Sequence, residues 1–338
     1  PNWLLRKEMS RRAVIQSVGH GLPVRIVTNK ELILEKGIES DDEWIQQRTG
    51  IQQRHICTGD EGAYSLAIEA GREALERSGL KPTDIEMVIV GTVSGDYIWP
   101  STACFVQNAL GLKLAGAFDV SAACAGFIYS LANATALIET GVIEHALVIG
   151  VDALTKQVDW SDRSTCILFG DAAAAVVVSA EEGGDRGVIK TVMLADGSGA
   201  PFISIDLGGT KYPPNGPVPD GMKYGIQMMG NEVYRFAIKA MGDACEKVLA
   251  EAGVDASEVD LFIPHQANMR IIRAAAERFK FPSEKVFVNV HKYGNTSGGS
   301  IPLALYEASD SGRLKPGMLV LTVGFGAGLV WGANLIRW

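Results

Sequence analysis

Two stretches of the chain, Gly79-Leu-Lys-Pro-Thr-Asp-Ile-Glu-Met-Val-Ile-Val90 and Gly253-Val-Asp-Ala-Ser-Glu-Val-Asp-Leu-Phe-Ile-Pro264, match position by position in character. Each follows a helical pattern, Glu61 to Ser78 in one case and Ala237 to Ala252 in the other, and each ends as an apolar strand. A second pair recurs further on, Ala146-Leu-Val-Ile-Gly150 and Val320-Leu-Thr-Val-Gly324. The repeat spans about half the chain, too long for a solenoid, and predicts two similar α/β halves. Arg12–Val18 reads as an opening apolar strand, and the runs His145–Val151 and Ala172–Ser179 are apolar on both faces, as strands in a helix-covered sheet must be. The Gly- and Pro-rich segment 188–228 reads as surface loops between the halves. The expected division is 9–186 and 187–338, with residues 1–8, ahead of Met9, as upstream or tag sequence.

The totals narrow the function classes. A net charge of −8 argues against nucleic acid or an anionic membrane as partner. The five cysteines (57, 104, 124, 166, 245) are scattered with no C-x-x-C pair, which argues against disulfides and zinc and for a reducing cytoplasm. The five histidines (20, 55, 145, 265, 291) show no metal-ligand spacing, so no metal is expected. Residues 317–336 carry no charge and are long enough to span a bilayer, but their glycines favour two buried strands, Leu319–Val323 and Leu329–Ile336.

Three polar residues stand where such halves place chemistry, outside the carboxyl ends of strands. Cys124, in Asp119-Val-Ser-Ala-Ala-Cys-Ala-Gly-Phe127, lies between the strand Ala115–Val120 and a helical run, Phe127–Ile138. A helix N-terminus favours a thiolate and offers free N–H donors to an oxyanion. His265 closes the strand Leu261–Pro264. Asn295 sits in Tyr293-Gly-Asn-Thr-Ser-Gly-Gly-Ser300, after the apolar run Val286-Phe-Val-Asn-Val290. Taken singly, these are a small buried hydrophobe, a hydrogen-bonded histidine and a turn residue. Their joint placement at three strand ends predicts one site.

The motifs Ala123-Cys124-Ala-Gly-Phe, His265-Gln-Ala-Asn268, Gly294-Asn295-Thr-Ser and Gly324-Phe-Gly-Ala-Gly-Leu-Val-Trp-Gly332 together resemble the β-ketoacyl-acyl-carrier-protein synthase III family of the thiolase superfamily, from about Arg12 to Trp338. The resemblance implies a five-layered α-β-α-β-α fold, a homodimer and the first condensation of type II fatty-acid synthesis. In that reaction an acyl-CoA acylates the cysteine; malonyl-acyl-carrier protein then loses CO2 and attacks the acyl group. Coenzyme A enters as a thioester substrate, and no cofactor is implied. A thiolate exchanges acyl groups with thioesters at little cost, and an enolate needs neutral or cationic donors, which His265 and Asn295 supply. A second His at position 295 would instead resemble the elongating synthases.

By the same resemblance, the amides of Cys124 and Ala327 form the acyl-enzyme oxyanion hole and Phe325 gates the thiol. The family usually has Gly at 327 and often Phe at 329, where this chain has Ala and Leu. Trp44 and Arg163 match positions that sandwich the adenine of CoA, a stacking and cation–π arrangement. Arg48 matches one that meets phosphate, and Asn268 one that bonds pantetheine or orients His265. Trp99, in Asp96-Tyr-Ile-Trp-Pro100, matches the position that reaches across the dimer to close the partner's acyl pocket, which predicts short starters. Arg235, Arg270, Arg273, Arg278 and Lys280 cluster on two second-half helices and form a candidate dock for an acidic carrier protein, or simply a solvated face. Two other readings use the same residues: a homologue that primes polyketide or other secondary metabolism, and a thioester hydrolase or cysteine peptidase. A nucleotide-binding module is rejected, because Gly324-x-Gly-x-Gly328 lacks the third glycine at dinucleotide spacing.

Overall fold

The computed structural model describes residues 11–338, so the reading of residues 1–8 lies outside the described residues. The strands run β1 (Arg11–Gly21), β2 (Ile26–Thr28), β3 (Gln53–His55), β4 (Met87–Gly91), β5 (Gly116–Val120), β6 (His145–Ala153) and β7 (Asp171–Glu182). They continue with β8 (Gly187–Ala195), β9 (Ile203–Ser204), β10 (Gln227–Met228), β11 (Leu261–Pro264), β12 (Leu319–Gly326) and β13 (Val330–Arg337).

The sequence repeat is a structural one. The helix Ala63–Ser78 ends on Gly79 at φ 73°, and Gly230–Ala252 ends on Gly253 at φ 68°. Both need a residue without Cβ in that left-handed cap. A single 3-10 turn follows in each half, Pro82–Asp84 and Ala256–Glu258. Asp84 accepts the Lys81 N–H and Glu258 the Asp255 N–H, each at 2.8 Å. Out of these turns come β4 and β11, and each pairs in parallel with its later counterpart, β4 with β6 and β11 with β12.

One sheet has the order β1-β7-β6-β4-β5 and the other β11-β12-β13-β8. The helices Gly126–Glu139 and Ser300–Asp310 lie between them. Their Phe127, Ile128, Leu131, Ile301 and Leu305 share a core with Ile89 and Val148 of the first sheet and Ile263, Val320 and Ile336 of the second. Ala63–Ser78 covers the outer face of the first sheet, and Gly230–Ala252 with Met269–Arg278 that of the second. Both sheets are therefore buried on both faces, which is why β6, β7 and β12 are almost uninterrupted apolar runs. The layering is α-β-α-β-α, as the resemblance implied.

Two sequence expectations need correction. The apolar run Val286–Val290 is not a strand: its contact with β11 is a bridge, Val286 to Phe262, with the Phe287 N–H bonded to the Phe262 carbonyl. The buried Gln266 Oε1 takes the N–H groups of Asn289 and Val290 at 2.9 and 3.2 Å, and the chain turns there into the short helix Val290–Tyr293. Nor is the segment 188–228 all loop, since its first residues form β8, which closes the second sheet against β13. The register of a buried edge decided that stretch, and its glycine content misled.

Candidate active site

One cavity of about 560 Å³ is lined by Cys124, His265 and Asn295 together. Cys124 sits in a single 3-10 turn, Ala123–Ala125, that joins β5 to the helix Gly126–Glu139. The end of β12 packs on its backbone. A Cβ at Gly326 would lie 2.5 Å from the Cys124 nitrogen, so only glycine permits this approach. Ala123, just before the nucleophile, is held at φ 44°, strain of the kind that gathers at functional sites.

His265 is fully buried, and its N–H bonds the Val323 carbonyl at 2.7 Å, continuing the β11–β12 ladder. Nδ1 faces the Ser300 Oγ at 2.5 Å. That oxygen accepts the Gln266 N–H at 3.3 Å, and among the described residues Nδ1 is the one acceptor within reach of its hydroxyl hydrogen, so a satisfied network directs that hydrogen to Nδ1 and assigns the proton of the neutral ring to Nε2. Nε2 is buried without a hydrogen-bond partner. Burial pushes the imidazole down to about 3, so it is neutral at physiological pH. Asn295 is anchored through its backbone to Leu168 and Gly170, and its Oδ1 accepts the Ser297 N–H at 2.9 Å. Its NH2 group is thereby left as a donor. The cavity is thus offered two uncharged N–H donors, which suits an oxyanion that forms and disappears during a reaction.

The thiol departs from expectation. Although Cys124 opens onto the cavity, burial pushes it up to about 12, and the nearby Asp152 carboxylate adds to the rise. Desolvation thus favours the protonated thiol in the resting fold.

Phe325 packs edge-on against the His265 ring at 5.7 Å, and it lines the cavity beside Ala327. Ala327 does not adopt a positive φ, so its backbone accommodates the methyl group without strain. Trp44, Arg48 and Asn268 also line the cavity. The Arg163 guanidinium lies 4.7 Å from the Trp44 ring centre and Arg48 5.6 Å from it. Arg163 also donates to the Glu39 carbonyl at 2.7 Å. Arg163 therefore lies directly on Trp44, with no room for a further ring between the two side chains in this arrangement.

Asn268 does not orient His265. Its Oδ1 caps the helix Met269–Arg278 through the Arg270 N–H, and its Nδ2 bonds the Arg48 carbonyl at 3.2 Å. Ser300 takes the orienting role, and nothing in the sequence marked it. Asp152 and Ser297 were missed too. A lone acid within the apolar strand β6 was the available signal.

Trp99 is 81% exposed and lies outside the cavity of its own chain. Among the basic residues, Arg278 is tied to Asp243 and Glu246 at 3.0 and 2.8 Å. That geometry removes it from the set of available cations. Arg235 pairs with Glu232 at 3.3 Å. Arg270 lies over Tyr234 at the cavity wall, and Arg273 and Lys280 are exposed nearby.

Comparison with known proteins gives a consistent result. Residues 118–197 match the family 3-oxoacyl-[acyl-carrier-protein (ACP)] synthase III, and residues 249–338 match the C-terminal part of the same enzyme. The chain is 45% identical over 326 residues to the β-ketoacyl-[acyl-carrier-protein] synthase III of Caldanaerobacter subterraneus subsp. tengcongensis, covering 96% of this chain and 98% of that one. The solved 3-oxoacyl-[acyl-carrier-protein] synthase III of Aquifex aeolicus superposes with a TM-score of 0.89 at 44% identity, over 96% of this chain and all of that one. The priming β-ketosynthase of the R1128 polyketide pathway also superposes at 0.89, with 34% identity over 97% of this chain and 96% of that one.

Proposed function

Because the chain belongs to the β-ketoacyl-[acyl-carrier-protein] synthase III family, we propose that it initiates fatty-acid synthesis by condensing a short acyl-CoA with malonyl-acyl-carrier protein. Cys124 takes the acyl group as a thioester. The malonyl thioester then loses CO2, and the electron pair of the breaking C–C bond forms an enolate whose oxygen meets His265 Nε2–H and Asn295 Nδ2–H. The enolate carbon attacks the acyl thioester, Cys124 leaves as thiolate, and the β-ketoacyl product departs on the carrier.

The single observation that carries this reading is the pair of neutral donors beside a thiol in an apolar cavity. A histidine-dependent thioester hydrolase would need a ring nitrogen free to accept a proton from water, and His265 Nδ1 is taken up by the Ser300 hydroxyl. Incubation with acyl-CoA tests the point. Condensation gives β-ketoacyl product only when malonyl-carrier protein is added, whereas steady release of free acid without it would refute the reading. A polyketide-priming role, suggested by the likeness to the R1128 enzyme, differs in the carrier used. Side-by-side turnover with fatty-acid and polyketide carriers separates the two.

A homodimer is supported by the edge strand β5, paired only with β4, and by the exposed apolar Tyr97, Ile98, Trp99 and Leu114 beside it. In such a dimer Trp99 closes the partner's acyl pocket. Trp99→Ala is expected to extend the range of acyl-CoAs used toward longer chains, read from acylation rates across a chain-length panel; an unchanged profile would remove Trp99 from the pocket. Five free cysteines support a reducing, cytoplasmic compartment. Among the described residues no helix is long and apolar enough to cross a membrane.

For the acidic carrier protein, Arg270 and Arg273 are the favoured contacts, with Arg235 and Lys280 beside them. Replacing either favoured arginine with alanine is expected to raise KM for malonyl-carrier protein about 5- to 10-fold at low salt, with the difference shrinking as salt rises. Arg278→Ala should leave KM unchanged and lower stability by up to about 1 kcal/mol, since its charge is already paired. Steady-state kinetics at two ionic strengths, with a thermal melt, read both.

A further inference from the structure

The resting thiol must lose its proton before it can attack a thioester. His265 cannot take it, because Nδ1 receives the Ser300 hydroxyl hydrogen and Nε2 already bears a proton. Asn295 offers only donors. The titratable groups facing the sulfur are then His265 and Asp152, with Arg48 and Arg270 further out on the cavity wall.

Asp152, at the inner end of β6, is completely buried and, among the described residues, pairs with no cation. One carboxylate oxygen accepts the Val93 N–H at 2.9 Å and the hydroxyls of Ser94 and Thr92 at 2.7 and 3.1 Å. The other accepts the Gly298 N–H at 2.9 Å. Immediately before Gly298 stands Ser297, which is 1% exposed. Its hydroxyl is on the cavity wall with Cys124, one residue before the Gly298 that binds Asp152, and among the described residues it has no hydrogen-bond partner in the resting fold. Ser297 is also held at φ 47°, where an ordinary residue is strained and glycine is not. The backbone contribution of this position, its N–H to Asn295 Oδ1, would survive in glycine. What glycine would lack is the hydroxyl.

We propose that Ser297 and Asp152 form the proton-accepting relay of Cys124. The S–H proton passes to Ser297 Oγ as the Ser297 hydroxyl proton passes to the Asp152 carboxylate, leaving a thiolate and a neutral carboxylic acid. The thiolate attacks the acyl-CoA carbonyl and the bond to the CoA sulfur breaks. The proton then returns along the same path to the departing CoA thiolate. One negative charge is present throughout, on the carboxylate or on the sulfur. Two adjacent buried anions would repel, in keeping with the upward push that Asp152 gives the Cys124 thiol. Burial holds Asp152 above the usual carboxylate range, which makes it a better base than an exposed aspartate.

This inference rests on the condensing-enzyme reading, and the test separates the two. Wild type, Ser297→Gly, Ser297→Ala and Asp152→Asn are mixed with acetyl-CoA, and the rate of acyl-enzyme formation is followed across pH by rapid quench and intact mass. Decarboxylation of malonyl-carrier protein is assayed in parallel. Ser297→Gly and Ser297→Ala are expected to form acyl-enzyme about 100-fold more slowly, with a rate that climbs with pH where wild type is level, and to decarboxylate normally. Asp152→Asn should show the same split if its melt shows it folded. Equal acylation rates and pH profiles in wild type and a folded Ser297 variant would overturn the relay, as would equal loss of both half-reactions. Absence of any acyl-enzyme in wild type would instead overturn the condensing-enzyme reading.

Discussion

Replacing Cys124 with alanine is expected to lower condensation by on the order of 10⁵-fold, the scale on which removal of an essential nucleophile acts. The loss is specific to one half of the reaction. Cys124 is approached by Gly326 and flanked by Ala123 and Ala125, none of which offers a side chain able to carry an acyl group. The other free thiols cannot substitute: Cys57, Cys166 and Cys245 are buried, and Cys104 is exposed and does not line the cavity. The two donors to the enolate come from different elements, β11 and the 294–297 loop, and neither leans on the sulfur. Cys124→Ala should therefore still release CO2 from malonyl-carrier protein while forming no acyl-enzyme. Radiolabelled CO2 release and intact mass, on one preparation, read both halves. Retained condensation would exclude Cys124 as nucleophile.

His265→Ala and Asn295→Ala should show the converse. Removing one preorganised donor to an oxyanion costs about 10²- to 10³-fold, so decarboxylation should fall by that amount in each single variant while acyl-enzyme still forms. Because both side chains serve one oxygen, the double variant should lose less than the product of the two single losses. The pH behaviour follows from the state of the ring. His265 is held at about 3 by burial, so above that pH it is neutral, and decarboxylation should not vary with pH across the neutral range. A rate that rose and fell with a histidine-like midpoint would mean that a charged imidazole, absent from this arrangement, carries the step. The same burial makes the fold acid-sensitive. The unfolded chain binds the imidazole proton near 6.5 and the folded chain only near 3, so this contribution to stability is lost as pH falls between those values.

Much of the layered architecture could be read from the chain because its two halves repeat the same local instructions. Gly79 and Gly253 end helices, the turns that follow reach back to their own backbone, and doubly buried strands leave unbroken apolar runs. The stretch 286–290 escaped that reading because its last two backbone donors, on Asn289 and Val290, are taken by one side chain, Gln266, some twenty residues away in sequence. β8 was hidden because its pairing partner, β13, lies at the far end of the chain. For the site, strand ends located Cys124 and His265, whereas Asn295 follows the short helix Val290–Tyr293 and reaches the same cavity from there. The groups that set their protonation, Ser300, Ser297 and Asp152, were not visible, since hydroxyls and a lone acid acquire meaning only through what stands beside them. The thiol shows the limit most clearly. A helix terminus next to a cysteine suggests a thiolate, but how deeply the sulfur lies, and that a carboxylate lies near it, are facts of packing.

The most direct test follows the intact mass of the protein through one cycle. Addition of a short acyl-CoA should add one acyl group, mapped by proteolysis to the peptide bearing Cys124. Addition of malonyl-carrier protein should then discharge it, releasing one CO2 and one β-ketoacyl product per acyl group. An acyl group found on another residue, or its discharge as free acid, would contradict the account.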